Sequence, residues 1–146
     1  MDNNVRLYTD GACKGNPGIG GWGVLIQTGN NSNELKGFRL DTTNNQMELM
    51  AVIKGLEAIE KNTSLEIITD SQYVMNGMKQ WIINWKKNGW KTASKKPVKN
   101  KELWQRLDGL VKDYTIHWKW VKGHSGHPGN ERADQLANEA IEDYYK

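Results

Sequence analysis

The chain has 146 residues, a length that fits one domain and leaves no room for a second. It carries 20 Lys and Arg against 17 Asp and Glu, and its one cysteine, Cys13, excludes an intramolecular disulfide or a cysteine-rich zinc site. Its short apolar stretches and the absence of a signal-peptide pattern lead us to expect a cytoplasmic protein with no membrane contact.

The first third of the chain predicts an antiparallel meander. Extended segments are expected over residues 5–10, 23–26 and 34–40, separated by turns rich in glycine and asparagine. The sequence Thr43-Asn44-Asn45-Gln46 then has the pattern of a capping box, with Thr43 as the N-cap and Gln46 as its reciprocal partner. Apolar residues recur at helical spacing after it, which predicts a helix running to about Lys61.

The rest of the chain predicts alternating helices and strands. Strands are expected over 65–70 and 115–121, short helical pieces through Asn76 and over about 81–88, a loop over 89–100, and a helix over 102–112. A final helix presents an apolar face from Ala133 to Tyr144. A meander followed by alternating elements predicts an α/β fold, in which helices pack on a five-stranded mixed sheet, antiparallel first and then parallel.

Four acidic residues stand at positions that suggest a common site. Asp10 and Asp70 each end an apolar strand, whereas Glu48 and Asp134 lie early in predicted helices. Parallel neighbouring strands would bring Asp10 and Asp70 to one edge of the sheet, where open α/β sheets bind ligands. Each acid alone is explained by a turn or by the helix dipole. Four converging carboxylates require cations, and Mg²⁺ or Mn²⁺ suit such oxygen ligands.

The charge is unevenly distributed along the chain. Residues 71–101 hold eight lysines and no acid, whereas the remaining residues carry 12 basic and 17 acidic groups. Three tryptophans, Trp81, Trp85 and Trp90, lie among these lysines. Lysines interleaved with aromatic residues favour a nucleic-acid partner over an ordinary solvated face.

Five motifs occur in order: TDGACKGNPG at 9–18, TNNQMEL at 43–49, TDSQYV at 69–74, WVKGH at 120–124 and GHPGNERAD at 126–134. In this order they resemble type 1 ribonuclease H, and bacterial ribonuclease HI most closely. Segment 81–100 resembles the basic protrusion of that group. The resemblance covers the whole chain and implies one ribonuclease H domain over residues 1–146, with the ribonuclease H-like fold.

The resemblance also implies an activity. A protein of this family hydrolyses the RNA strand of RNA–DNA hybrids by two-metal-ion catalysis and leaves 5′-phosphate and 3′-hydroxyl ends. Two Mg²⁺ ions are implied, with Mn²⁺ as a substitute. Asp10 would bridge both ions, Asp134 would hold the ion that activates water, and Glu48 with Asp70 would hold the other. His124 would assist proton transfer or product release. The implied partner is the hybrid, and a monomer is expected because the sequence shows no obvious oligomerisation surface.

Substrate-binding residues are implied in the same way. Small polar groups would read the RNA 2′-hydroxyls in the minor groove; they are Cys13, Asn16, Asn44, Asn45 and Gln72. A DNA-strand phosphate would be bound by Thr43 and Asn100, and the DNA strand would be followed by Trp81, Trp104, Lys86 and Lys87. Trp85 is expected to pack beneath the lysines. Asp41 departs from the family, in which a basic residue is often found at this position.

Two alternatives remain open. A non-catalytic nucleic-acid-binding module is favoured by the lysine–tryptophan segment alone and predicts salt-sensitive binding without cleavage in Mg²⁺. The second alternative is another nuclease or an integrase built on a similar scaffold. The intact acidic set counts against the first alternative, and the residues expected to read the 2′-hydroxyl count against the second.

Overall fold

Five strands form one mixed sheet in the computed structural model, which describes residues 4–123 and 127–146. The strands are β1 Val5–Lys14, β2 Gly18–Thr28, β3 Asn31–Thr42, β4 Ser64–Thr69 and β5 Thr115–Trp120. Their order is β3-β2-β1-β4-β5, antiparallel among the first three, with β4 parallel to both β1 and β5. The predicted meander and the mixed α/β fold are confirmed.

The helices are α1 Asn44–Glu57, α2 Gln72–Asn76, α3 Ile82–Lys87, α4 Lys101–Val111 and α5 Pro128–Tyr144, and one π-helical turn, Gly77–Trp81, joins α2 to α3. Helix α1 ends four residues before the predicted end near Lys61. There the chain turns through Asn62, whose φ of 69° is left-handed, to enter β4. The Tyr114 hydroxyl donates to the carbonyls of Leu56 and Ile59, and so holds this end of the helix in place. Among the described residues, no helix is both long and apolar enough to cross a bilayer.

Each face of the sheet carries a helix. On one face, Leu7 and Val24 pack with Leu49 and Val52 of α1 in a fully buried core, where each side chain contributes about 1.5–3 kcal/mol by leaving water. On the other face α5 lies directly against β2. A Cβ on Gly23 would lie 2.2 Å from the Ala133 carbonyl oxygen, so glycine is required for this close packing.

An ion pair also connects helix α5 to the edge strand β3. The Arg132 guanidinium donates to both carboxylate oxygens of Glu34, at 2.6 and 2.9 Å, and to Glu139 of its own helix at 3.0 Å. Bidentate arginine–carboxylate pairs are geometrically specific. This pair fixes the rotation of the helix that carries Asp134.

Candidate active site

Three carboxylates meet at the edge of the sheet where β4 ends. The parallel register pairs Thr9 with Thr69, so Asp10 of β1 and Asp70, which directly follows β4, emerge at the same level. Glu48 reaches this edge from the second turn of α1. One oxygen from each of Asp10, Glu48 and Asp70 lies within 4.8 Å of the other two. We call these three residues the acidic cluster.

Two members of the acidic cluster, Asp10 and Glu48, are buried enough to resist ionisation. Asp10 and Glu48 are only 5% and 7% exposed. The Gly11 amide donates to Asp10 Oδ1 at 2.9 Å, but Glu48 Oε2 has no hydrogen-bond partner in the described part of the chain. Burial, and then the charge of Asp70, raise the pKa of Asp10 to about 8. Burial and the charges of Asp10 and Asp70 raise the pKa of Glu48 well above its usual value. A divalent cation would relieve both effects, and the residues therefore fit such an ion.

Asp134 lies beside the cluster. It is half-buried in α5, and a hydrogen bond with its side chain is among the causes that raise the pKa of Asp10. Asn138, one turn later, donates from Nδ2 to the Asp134 carbonyl at 2.9 Å and to its Oδ1 at 3.4 Å. Sequence reasoning missed Asn138, although its i, i+4 spacing from Asp134 was a usable signal. His124, the predicted auxiliary residue, lies outside the described residues.

Known proteins that are similar to this chain decide its family. The RNase H family model matches residues 2–142. Ribonuclease H of Pseudomonas putida (strain W619) is 59% identical over 143 residues, which are 98% of this chain and 97% of that protein. The chain belongs to the ribonuclease H family.

Solved structures of ribonucleases H share its fold. LC9-RNase H1, described as a type 1 RNase H with the type 2 active-site motif, has a TM-score of 0.88 and 33% identity over 98% of this chain and 74% of its own. LC11-RNase H1 in complex with RNA/DNA hybrid has a TM-score of 0.73 and 25% identity over 98% of this chain and all of its own. The expected ribonuclease H-like fold is confirmed.

Four of the predicted minor-groove residues of this ribonuclease H lie around the start of α1, and the fifth, Gln72, opens α2. Asn16, in the turn between β1 and β2, accepts a hydrogen bond at Oδ1 from the Asn44 amide at 3.1 Å, which joins that turn to the helix. Cys13 lies close by, and its Sγ contacts the Gly15 carbonyl at 2.8 Å. Burial raises the pKa of the Cys13 thiol, so the group stays protonated and is not an activated nucleophile. Asn45 follows Asn44 in α1, and the exposed Gln72 opens α2, two residues after Asp70.

Thr43 and Asn100, the predicted phosphate-binding pair, are brought together through Gln46. Thr43 caps α1, and its Oγ1 accepts from the Gln46 amide at 3.2 Å. The Gln46 side chain does not return to Thr43. Its Oε1 accepts from the Thr42 hydroxyl at 2.6 Å and its Nε2 donates to Asn100 Oδ1 at 3.1 Å. The reciprocal half of the predicted capping box is therefore wrong, because both polar ends of Gln46 are engaged elsewhere.

The expected role of Trp104 also needs correction. Its ring is fully buried, and its Nε1 donates to the Tyr73 hydroxyl at 2.9 Å. A fully buried indole offers no face on which DNA could stack. The signal for burial was present in the sequence, because Trp104 and Leu107 lie one turn apart and are the buried residues of α4.

Trp81 and Trp85 form an outer aromatic layer over this core. Trp81 is half-buried, with its ring 5.7 Å from that of Tyr73 and 5.9 Å from that of Trp85. Trp85 also contacts Trp104, at 5.4 Å between ring centroids. Trp85 thus packs against the aromatic core, with its neighbours Lys86 and Lys87 exposed.

The lysine-rich segment forms an exposed basic surface on the π-helical turn, α3 and the loop after it. The exposed members are Lys79, Lys86, Lys87, Lys91, Lys95, Lys96 and Lys99. A β-bridge between Lys91 and Pro97 closes the loop. Lys86 is partly neutralised, since its Nζ lies 3.4 Å from Asp108 Oδ1.

Proposed function

We propose that the acidic cluster and Asp134 of this ribonuclease H hold two Mg²⁺ ions, and that the enzyme uses them to cleave the RNA strand of an RNA–DNA hybrid. The expected products carry 5′-phosphate and 3′-hydroxyl ends. Membership of the ribonuclease H family supports the RNA-strand endonuclease activity. The observation that carries the metal assignment is the set of three carboxylate oxygens, from two strands and one helix, that lie within 4.8 Å of one another.

The donor set fits hard divalent cations. Oxygen ligands, two of them on nearly buried carboxyls, suit Mg²⁺, with Mn²⁺ as a substitute. Glu48 Oε2 is buried without a hydrogen-bond partner among the described residues, as expected of an atom that binds a cation. When bound, such ions neutralise the carboxylates and act as Lewis acids in the displacement at phosphorus.

Each group of side chains has a separate task in this proposal. Asp10, Glu48, Asp70 and Asp134 would hold the ions, which would supply Lewis-acid chemistry. His124 moves a proton or assists product release. The polar residues around the start of α1, together with Gln72 at the start of α2, bind the sugar edge of the RNA strand; those around α1 are Cys13, Asn16, Asn44 and Asn45.

The DNA strand is assigned to the adjoining surface. Thr43 and Asn100 bind one of its phosphates, and Trp81 contacts its sugars at the outer edge of the aromatic layer. Lys86 and Lys87 belong to a basic protrusion over about 81–100 that attracts the backbone. The hybrid bound to the structural neighbour LC11-RNase H1 supports a hybrid as the substrate. The proposed enzyme is a cytoplasmic monomer, and its single cysteine is consistent with a reducing compartment.

The test uses one end-labelled RNA strand in three forms: single-stranded, paired with RNA and paired with DNA. We expect cleavage of the hybrid alone, and only when Mg²⁺ is present. Asp10→Asn should abolish cleavage but retain hybrid binding. Asp113→Asn is the matched control, because Asp113 pairs with Lys61 instead of lying in the cluster, and it should remain active. Tight, salt-sensitive binding of the hybrid without cleavage would replace this proposal with the binding-module alternative.

A further inference from the structure

A continuous chain of side-chain hydrogen bonds passes through Asn100. The Thr42 hydroxyl donates to Gln46 Oε1 at 2.6 Å, and Gln46 Nε2 donates to Asn100 Oδ1 at 3.1 Å. Asn100 Nδ2 then donates to the Tyr73 hydroxyl at 3.1 Å, and that oxygen also accepts from Trp104 Nε1 at 2.9 Å. We call this chain the Asn100 relay. It connects the end of β3 to the aromatic core through two half-buried amides, those of Gln46 and Asn100.

Both ends of the relay are anchored inside the protein. Thr42 is 2% exposed and Trp104 is fully buried. The Tyr73 ring packs against two aromatic rings, with its centroid 5.3 Å from that of Trp104 and 5.7 Å from that of Trp81. An indole has one donor and no acceptor, so Trp104 contributes a hydrogen bond of fixed direction. The position of the Tyr73 hydroxyl is therefore set by core packing.

The relay controls which atom of the Asn100 amide is free. Asn100 is the N-cap residue of α4 with a left-handed φ of 61°, yet its side chain makes no capping bond to that helix. Its Oδ1 accepts a hydrogen bond from Gln46, and one of its two Nδ2 hydrogens is donated to Tyr73. The second Nδ2 hydrogen remains to donate. A rotated amide would instead present Oδ1, which repels a phosphate oxygen.

We propose that Tyr73 and Gln46 are positioning residues, which hold the Asn100 amide with its free N–H toward a phosphate of the DNA strand. This inference rests on the proposed function, in which Asn100 binds that phosphate. It assigns to the relay a contribution to hybrid affinity that is separate from cleavage itself. Neither positioning residue is required to touch the reacting atoms.

The first test is Tyr73→Phe, which keeps the ring and removes the hydroxyl. With one anchor of the amide lost, KM for the hybrid should rise about three- to tenfold, the effect expected from the loss of one ordinary hydrogen bond. The turnover number kcat should stay within about twofold. Tyr114→Phe is the matched control. Its hydroxyl donates to the Leu56 and Ile59 carbonyls at the far end of α1, so this change should lower thermal stability but leave KM unaltered.

The decisive measurement is a double-mutant cycle with Asn100→Ala. If Tyr73 acts through Asn100, Tyr73→Phe should not raise KM further once the amide is gone. Replacing DNA-strand phosphates one at a time with neutral methylphosphonates should identify one position at which Tyr73→Phe has no further effect. An unchanged KM in Tyr73→Phe, or an equal rise with and without the Asn100 amide, would overturn the inference.

Substitutions at Gln46 test the orientation of the amide independently of Tyr73. Gln46→Leu removes the contact with Asn100, whereas Gln46→Glu accepts from Asn100 Nδ2 and turns Oδ1 outward. KM should therefore rise more for Gln46→Glu than for Gln46→Leu, and the reverse order would count against the relay. If Asn100→Ala leaves KM unchanged while cleavage persists, the relay inference fails but the proposed activity stands. If the unaltered enzyme shows no metal-dependent cleavage of the hybrid, the proposed function itself fails.

Discussion

Gly11 lies against the backbone of Glu48 so closely that a Cβ on Gly11 would come within 2.5 Å of the Glu48 nitrogen. Helix α1 therefore rests directly on β1 at the point where each element carries a carboxylate of the acidic cluster. A side chain at residue 11 would have to push the helix, and Glu48 with it, away from Asp10. The absence of a side chain at Gly11 sets the spacing between these two acids.

Gly11→Ala should consequently damage both the fold and the site. Overpacking of this kind costs about 1–3 kcal/mol or more in the free energy of unfolding, and we expect cleavage to fall by at least about tenfold because Glu48 is displaced. Urea denaturation and a hybrid-cleavage assay measure the two effects. Gly109→Ala is the matched control, because Gly109 lies in α4 with no atom within 4 Å of an added Cβ. It should gain about 0.5–1 kcal/mol from helix propensity. Equal stability of the two variants would refute this packing argument.

The pKa of Asp10 predicts how the metal-free protein responds to pH. The usual value is 3.8 and the folded value is about 8, so between these values the folded state binds the proton that the unfolded state releases. The contribution of Asp10 to the free energy of unfolding should therefore fall as pH rises across this range, by up to about 1.4 kcal/mol per pH unit. Thermal unfolding in chelator from pH 4 to pH 8.5 would measure this loss.

Two controls separate this effect from general pH sensitivity. Asp10→Asn has no proton to release, so its stability should depend less on pH than that of the unaltered protein. Mg²⁺ should stabilise the unaltered protein most at high pH, where the carboxylates are most readily ionised. Stability that rises between pH 5 and 8 in chelator would show that the cluster ionises without difficulty.

The sequence predicted the sheet and the convergence of acids because both follow from local patterns. Asp10 and Asp70 end apolar runs, and parallel pairing of their strands is enough to bring them together. The prediction ended β1 at Asp10, but the strand continues to Lys14. The glycines after Asp10, read as turn signals, allow β1 and β2 to pair under closely packed helices. Propensity alone does not distinguish these two uses of glycine.

The errors at Gln46 and Trp104 have a different origin. The capping-box pattern predicted a partner within four residues, but Gln46 binds Asn100, 54 positions away. Trp104 was expected to contact the DNA strand by resemblance to the family, although the helical phase of α4 turns its ring inward. A contact between distant segments decides the partner of Gln46, and a local sequence pattern carries no information about it. The burial of Trp104, in contrast, follows from its helical spacing to Leu107.

Trp81 and Trp104, both predicted from the sequence to contact the DNA strand, should respond differently to substitution. Trp104→Ala removes a fully buried ring and leaves a large cavity, so it should cost about 3–5 kcal/mol in the free energy of unfolding. Trp81→Ala alters a half-buried ring at the edge of the aromatic layer. It should lower stability less and raise KM for the hybrid. Urea denaturation together with KM measurements on both variants checks the assignment; a KM effect confined to Trp104→Ala in folded protein would restore the original expectation.

The exposed lysines should differ in their contribution to the salt dependence of binding. Each lost phosphate contact reduces the slope of log K against log salt by about 0.7–0.9. Lys87, Lys95 and Lys96 make no ion pair within the described residues, whereas Lys86 lies 3.4 Å from Asp108. Lys87→Ala should therefore reduce the slope more than Lys86→Ala, and Lys87, Lys95 and Lys96 changed together to Ala should reduce it most, with kcat retained. Lys61→Ala, which removes a lysine already paired with Asp113, should leave the slope unchanged. If instead the triple variant binds the hybrid with the unaltered slope, the backbone is held by some other surface.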